Sequence, residues 1–211
     1  PDYDPNYPND IDVDAGFNRA TKGVYEMGST FKLFTVAAAL DMGVIDFSDG
    51  YDASKPIRVS RFSINDYHAK NRWLSVPEII LYSSNIGAAK MAQDVGTESQ
   101  KDYLRRFGLL TSTPIELPEI GAPLVPAFWR PINTMTISYG HGIAVSPIQL
   151  INGVSTIVNG GFKRSATLVK TKNDMLPAER ILKADTSEKV RQLMRLVVSE
   201  GTGRKANVPG Y

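Results

Sequence analysis

Two short clusters in this sequence carry side chains that can make and break acyl bonds. Ser29 and Lys32 stand three residues apart in Gly28-Ser29-Thr30-Phe31-Lys32. On a helix such positions share a face, so the hydroxyl and the amine can meet. A serine hydroxyl is a useful nucleophile only when a base takes its proton. A lysine can be that base once burial lowers its proton affinity, and the positive end of a helix favours an oxyanion at Ser29. The second cluster is Ser83-Ser84-Asn85. In a loop, Ser83 can relay a proton while Asn85 holds a peptide carbonyl or N–H. Neither pattern is specific alone. Ser-x-x-Lys arises about once by chance in a chain of this composition, and it reads equally as an N-cap serine beside a snorkelling lysine. Ser63-Ile64-Asn65 repeats the second spacing, and such a pair also serves as a cap at a helix junction.

The elements that must position these residues follow from the pattern around them. Gly28 breaks the chain, Ser29 is a suitable N-cap, and the following residues run as a helix to Gly43. Phe31, Leu33, Phe34, Val36, Ala37 and Leu40 lie all round it, so this helix belongs inside a core. Short strands are expected at Ile57–Val59 and Arg61–Ile64, then helices at about 75–82, 86–95 and 97–107. Residues 111 to 131 hold five prolines and read as a long irregular connection. Ser146-Pro147 opens another helix, which ends at Asn159-Gly160-Gly161. Strands are expected within 162–170 and 180–184. A last helix is read with Thr186 as its cap and Val190, Leu193, Met194, Val197 and Val198 on one face. The fold class is α+β, rich in helix, with too few strands for a large sheet.

Composition narrows the function classes. The chain has 211 residues, 42% hydrophobic and 22% charged, so it can bury a core and is not a disordered polymer. Its 24 basic and 22 acidic residues give a net charge of +2, too small for nucleic-acid binding by bulk charge. The Lys163, Arg164, Lys170 and Lys172 group reads as a solvated face, since nothing aromatic interleaves it. There is no cysteine, hence no thiolate nucleophile and no disulfide framework. His68 and His141 lack metal-ligand spacing; His141, between glycines, reads as a turn residue or as part of a cleft rim. No stretch approaches a membrane span.

Taken in order, the motifs resemble one family. Asn18-Arg19-Ala20 and Tyr25-Glu26-Met27-Gly28-Ser29-Thr30-Phe31-Lys32 resemble the active-site helix of penicillin-binding transpeptidases. Ser83-Ser84-Asn85-Ile86-Gly87 is similar to their second motif. Tyr139-Gly140-His141-Gly142, running on through Ser146-Pro147-Ile148-Gln149-Leu150, and Asn159-Gly160-Gly161 resemble the segment before the third motif. Glu200-Gly201-Thr202-Gly203 and Val208-Pro209-Gly210-Tyr211 resemble the lead-in to it. The resemblance covers almost the whole chain and is nearest to class B penicillin-binding proteins of the septal, cell-division type. The family's motifs are Ser-x-x-Lys, Ser-Asp-Asn and Lys-Thr-Gly. Here the middle residue of the second is Ser84, which suits class B transpeptidases better than class A β-lactamases. Lys-Thr-Gly is expected a few residues beyond Tyr211, and the family's first sheet strands before Pro1. The resemblance therefore implies that residues 1–211 are a partial transpeptidase domain of the β-lactamase/transpeptidase-like fold, mainly its helical part, with weakened or no activity on its own.

The resemblance also implies a mechanism. Ser29 attacks the carbonyl between the terminal D-alanines of a peptidoglycan stem peptide, with Lys32 as general base. An acyl-enzyme forms, and a neighbouring stem peptide's amine takes the acyl group. Ser83 relays the proton to the leaving group, and Asn85 holds the substrate amide. The Ser29 N–H supplies half of an oxyanion hole, and β-lactams trap the serine. No metal or organic cofactor is implied. The implied setting is the periplasmic face of the bacterial inner membrane, with an N-terminal membrane anchor and divisome membrane proteins as partners. A β-lactam sensor domain and a β-lactamase-like hydrolase are the rival readings. A hydrolase needs an acid that activates water, and no Glu-x-x-x-Asn pattern follows Glu116 or Glu119. Finally, an all-round apolar first helix without the family's sheet is expected to expose Phe31 and Phe34 and to drive a two-fold homodimer.

Overall fold

The computed structural model describes residues 4, 6, 7, 13–170 and 177–210. Among these lie eight helices and six short strands. They are α1 (Val13–Gly16), α2 (Lys32–Met42), β1 (Gly50–Asp52), β2 (Ile57–Val59), β3 (Phe62–Ile64), β4 (Trp73–Ser75), α3 (Val76–Leu81), α4 (Asn85–Val95), α5 (Thr97–Arg106), α6 (Pro131–Ile137), α7 (Pro147–Val158), β5 (Phe162–Lys163), β6 (Glu179–Arg180) and α8 (Ala184–Ser199). The strands form three separate antiparallel pairs, β1–β4, β2–β3 and β5–β6, with Gly50 opposite Ser75, Ile57 opposite Ile64 and Phe162 opposite Arg180. The strands expected within 162–170 and 180–184 are shorter, only two residues each, Phe162–Lys163 and Glu179–Arg180. Lys172 of the basic group lies outside the described residues.

Helix α2 is the axis of the molecule and packs against α4, α5, α7 and α8. Ala37, Ala38 and Ala39 on α2 and Gly87, Ala88, Ala89 and Ala92 on α4 are small residues, which let two helices pack closely. Phe31, Phe34 and Phe107 meet edge to face, at centroid distances of 5.4 and 5.2 Å. Phe31 and Phe34 are 1% and 2% exposed. This corrects the expectation that they face solvent: the molecule's own helices surround α2, and the sheet is not needed to cover these rings. The argument for a dimer through those two residues falls with it.

Local chemistry explains most element ends. Ser75 and Glu78 form a reciprocal capping box on α3, and Ser146 and Gln149 form another on α7, whose first residue is Pro147. α2 ends at Gly43, in the left-handed conformation at φ 71°. Two expected caps are corrected. Thr186 lies inside α8, not at its cap, because the helix starts at Ala184 and the Thr186 hydroxyl donates to Asp41 instead. Ser29 caps nothing: it sits within a 3₁₀ turn, Gly28–Phe31, that runs straight into α2. Two isolated bridges, Tyr25 with Val145 and Leu124 with Ala144, lay the segment before Ser29 beside the loop that precedes α7.

Candidate active site

The 3₁₀ turn puts Ser29 one turn ahead of Lys32, and α2 carries the lysine inward. Lys32 is only 3% exposed. Its Nζ lies 2.8 Å from Ser29 Oγ, 2.9 Å from both Ser83 O and Ser83 Oγ, and 2.8 Å from Asn85 Oδ1. A lysine ammonium has three donors, so four oxygens surround a group that can serve three at once. A neutral amine also makes three bonds at once, but of a different kind. Two N–H donate to Ser83 O and Asn85 Oδ1, which can only accept from it, and the lone pair can take the proton of one of the two serine hydroxyls. Burial pushes the lysine's pKa down to about 8, while the charge of Asp66 acts in the opposite sense. A neutral lysine is therefore accessible near neutrality.

Ser83 reaches this point through an unusual backbone. It follows the last turn of α3 with φ 56°, left-handed for a residue other than glycine. Its N–H bonds to Ile80 O and that of Ser84 to Ile79 O, the two bonds of a Schellman ending. The turn is one residue long, because Ser84 already caps α4, its Oγ accepting from Gly87 N at 2.9 Å. Asn85 is thus the first residue of a helix and not a loop residue. The strain at Ser83 and the rigidity at Asn85 together aim both side chains at Lys32.

The other pair with this spacing, Ser63 and Asn65, makes no side-chain hydrogen bond to Lys32. Yet the same segment matters in a way its spacing did not signal. Asn85 Nδ2 donates to Asn65 O at 2.9 Å, and Asp66 accepts from Ser84 Oγ and Ile86 N at 2.7 and 2.9 Å. A second contact was also hidden. The Glu26 carboxylate accepts from Gly142 N at 2.8 Å and faces His141 Nδ1 at 3.1 Å. The Gly142 amide, then the His141 ring, hold its pKa below the usual carboxylate range. His141 is exposed and stacks edge-on against Tyr139, whose ring lies 6.0 Å from Lys32 Nζ. Gly140 leaves no room for a side chain, since a Cβ there would come within 2.1 Å of Gly28 O. His141 thus stands at a turn between two glycines of positive φ, and it is not among the residues that line the cleft beside Ser29. Glu26 was legible only as an acid close before Ser29; Asp66 carried no signal at all.

Beside this polar knot opens a cleft of about 310 Å³. Ser29, Thr30, Lys32 and Ser83 form its polar side; Leu33 and Ile80, with Met194, Val197 and Val198 from α8, form its apolar side. No carboxylate is among its lining residues. Glu116 is exposed and accepts from the Thr167 hydroxyl and the Leu168 amide, and Glu119 is likewise exposed and absent from the cleft's lining. Among the described residues no cluster of histidines and acids could hold a metal ion, and no helix is long and apolar enough to cross a membrane.

Known proteins are similar to this chain in sequence and in backbone. Residues 1–211 match the penicillin binding protein transpeptidase domain family. The chain is 39% identical over 214 residues to the probable peptidoglycan D,D-transpeptidase FtsI of Caulobacter vibrioides, covering 100% of this chain and 36% of that protein. It is 31% identical to the peptidoglycan D,D-transpeptidase FtsI of Escherichia coli K12, with the same coverage of 100% and 36%. The chain thus spans about a third of the length of these curated relatives. It superposes on the apo transpeptidase domain of Burkholderia pseudomallei penicillin-binding protein 3 with a TM-score of 0.86 at 32% identity, over 92% of this chain and 60% of that one. A peptidoglycan glycosyltransferase structure from Burkholderia ambifaria gives 0.88 at 30% identity, over 95% and 65%. Matched along its whole length and superposing on solved members, the chain belongs to the penicillin-binding transpeptidase family and carries its β-lactamase/transpeptidase-like fold.

Proposed function

We propose that the intact protein is a serine D,D-transpeptidase that cross-links peptidoglycan stem peptides during septal wall synthesis, and that residues 1–211 form the helical part of its transpeptidase domain. One observation carries the reading: Lys32 Nζ stands within 2.9 Å of Ser29 Oγ, Ser83 Oγ and Asn85 Oδ1 at the edge of an open cleft. Ser29 attacks the carbonyl that joins the last two D-alanines, and its proton passes to neutral Lys32. The tetrahedral oxyanion takes a hydrogen bond from the Ser29 amide, which lies in the first turn of the 3₁₀ segment, where amides lack helical partners. Ser83 passes the proton to the departing D-alanine. Asn85, held by Asn65, binds the peptide. The amine of a second stem peptide then attacks the ester, and the proton steps run in reverse. The septal assignment rests on the FtsI relatives. With it come the expected setting at the periplasmic face of the inner membrane and partners among the division machinery.

A transpeptidase must keep its acyl-enzyme from water, and the cleft suits that, since no acid lines it to activate one. This favours the transpeptidase over a hydrolase. Labelling the intact protein with a fluorescent penicillin tests the proposal. A stable stoichiometric adduct on Ser29, lost in Ser29→Ala, is expected. With a peptide ending in D-alanyl-D-alanine in place of the penicillin, D-alanine should leave and the acyl group should pass to an added D-amino acid. Rapid turnover of the penicillin would point to a β-lactamase. A stable adduct without any acyl transfer would point to a sensor.

A further inference from the structure

The loop after β3 makes a set of contacts that the mechanism leaves unused. Asp66 reaches α4 from 18 residues upstream of Ser84. Its Oδ2 accepts the Ser84 hydroxyl proton at 2.7 Å and its Oδ1 accepts from Ile86 N at 2.9 Å. Ser84 in turn accepts from Gly87 N. Two of the helix's orphan amides are thus satisfied in two layers, one by the cap serine and one by a carboxylate behind it, at the end where negative charge is favourable. Asn65, next in the chain, accepts from Asn85 Nδ2 through its carbonyl. That bond decides which way the Asn85 amide faces. Flipped, its oxygen would meet the Asn65 carbonyl and its NH₂ would meet the lysine's N–H groups, two mismatches in place of two bonds. The family's second motif is written Ser-Asp-Asn; here position 84 is serine, and the acid arrives from another segment.

We propose that Asp66 and Asn65 are positioning residues for the second motif: together they fix the first turn of α4, and so hold Asn85 and Ser83 against Lys32. This rests on the transpeptidase reading of the same site. Asp66 also acts at a distance. Its negative charge favours the protonated lysine and partly offsets the effect of burial. The other titratable groups near Lys32 are Tyr139, kept neutral by burial, and the His141–Glu26 pair beyond it. The α8 side of the cleft presents Met194, Val197 and Val198. On the Asp66 loop itself, His68 stacks on Tyr67 and Lys70 lies over the Tyr82 ring. A residue that only stabilised the fold would not move the pH at which the lysine works; by its charge, Asp66 should.

The test is the pH profile of penicillin acylation of the intact protein, comparing wild type, Asp66→Asn and Ser84→Ala. Removing the charge makes Lys32 easier to deprotonate. The acid limb of the Asp66→Asn profile therefore moves to lower pH by about half a pH unit or more, while the plateau rate falls because Asn85 and Ser83 are held less firmly. Ser84→Ala loses the hydrogen bond but keeps the charge, so its plateau falls and its limb stays in place. Should Asp66→Asn not fold, Asp66→Ser, which refills the contact with a neutral hydroxyl, is expected to give the same downward movement. An unmoved limb in the neutral variants, or an equal movement in Ser84→Ala, overturns the inference. A wild-type protein that is not acylated at Ser29 at all would instead overturn the transpeptidase reading.

Discussion

Helix α2 carries a buried charge near each end, and each stands at the unfavourable pole of the helix dipole. Lys32 is a potential cation at the positive N-terminus, and Asp41 is an acid near the negative C-terminus. Both are nearly out of solvent, at 3% and 8% exposure. Their surroundings differ. Asp41 is met by donors: the Tyr103 hydroxyl at 2.8 Å, Lys183 N at 2.7 Å and the Thr186 hydroxyl at 2.9 Å. They complete the carboxylate and lock α2 to α5 and α8. Lys32 is met by the Asn85 amide oxygen and by oxygens of Ser29 and Ser83, which line a cleft and whose hydroxyls are able to give up a proton. Burial lowers its pKa, and the helix end acts in the same sense. One mismatch is cancelled by neutral donors and gives a structural clamp. The other is left partly uncancelled and gives a base.

The contrast can be broken most directly at Ser29 and Lys32. Ser29→Ala is expected to abolish penicillin labelling, and Lys32→Met to slow it by about 10²–10⁴-fold. Ser29→Ala should leave the thermal midpoint nearly unchanged. Lys32→Met should move it less than Asp41→Ala does, because removing a desolvated amine offsets the loss of the donor to Ser83 O and Asn85 Oδ1. A large drop in the midpoint of Lys32→Met would make the lysine a structural residue like Asp41. The reverse is expected of Asp41→Ala. It strands three buried donors and should cost about 2–4 kcal/mol by denaturant titration, with the labelling rate of the folded fraction unchanged.

A pH series sharpens the comparison from the lysine's side. Acylation of the wild type should fall about tenfold per pH unit below about 8, where Lys32 becomes protonated. The same shift has a stability consequence of known sign. Lys32 titrates near 8 in the folded state and at its ordinary 10.5 when unfolded. Between these values the unfolded state binds more protons, so the contribution of Lys32 to stability rises with pH across that window. The stability of the wild type relative to Lys32→Met should therefore rise as pH goes from 8 to 10.5. A relative fall would contradict the buried, depressed lysine.

The smallest effect is expected at Glu26. Its carboxylate ties the segment before Ser29 to the Gly142 amide and to His141. Glu26→Gln keeps an acceptor for the amide but loses its charge, so acylation should slow about fivefold, the equivalent of one ordinary hydrogen bond. An unchanged rate would show that the Gly28–Gly140 packing alone holds the turn.

What could be read from the sequence was whatever depends on neighbours along the chain. The Ser29–Lys32 contact follows from a spacing of three, the α7 start from Ser146-Pro147, and the α2 end from Gly43. Each involves residues within about one helical turn, where backbone geometry leaves little choice. The sequence also supplied the order of motifs from which the family resemblance was drawn. Tertiary structure decided the rest. Thr186 has the composition of a cap and is claimed by Asp41, 145 residues away. That α2 is buried was legible in its all-round apolar pattern, but that the molecule's own helices cover Phe31 and Phe34 was not. The partners of the second motif, Asn65 and Asp66, and the Glu26 tie to residue 142, span 18 to 116 residues of chain. Hydrogen bonds at that separation exist only because the packed helices bring the groups together. The sequence names the donors and acceptors; it cannot say which of them meet until the core has closed.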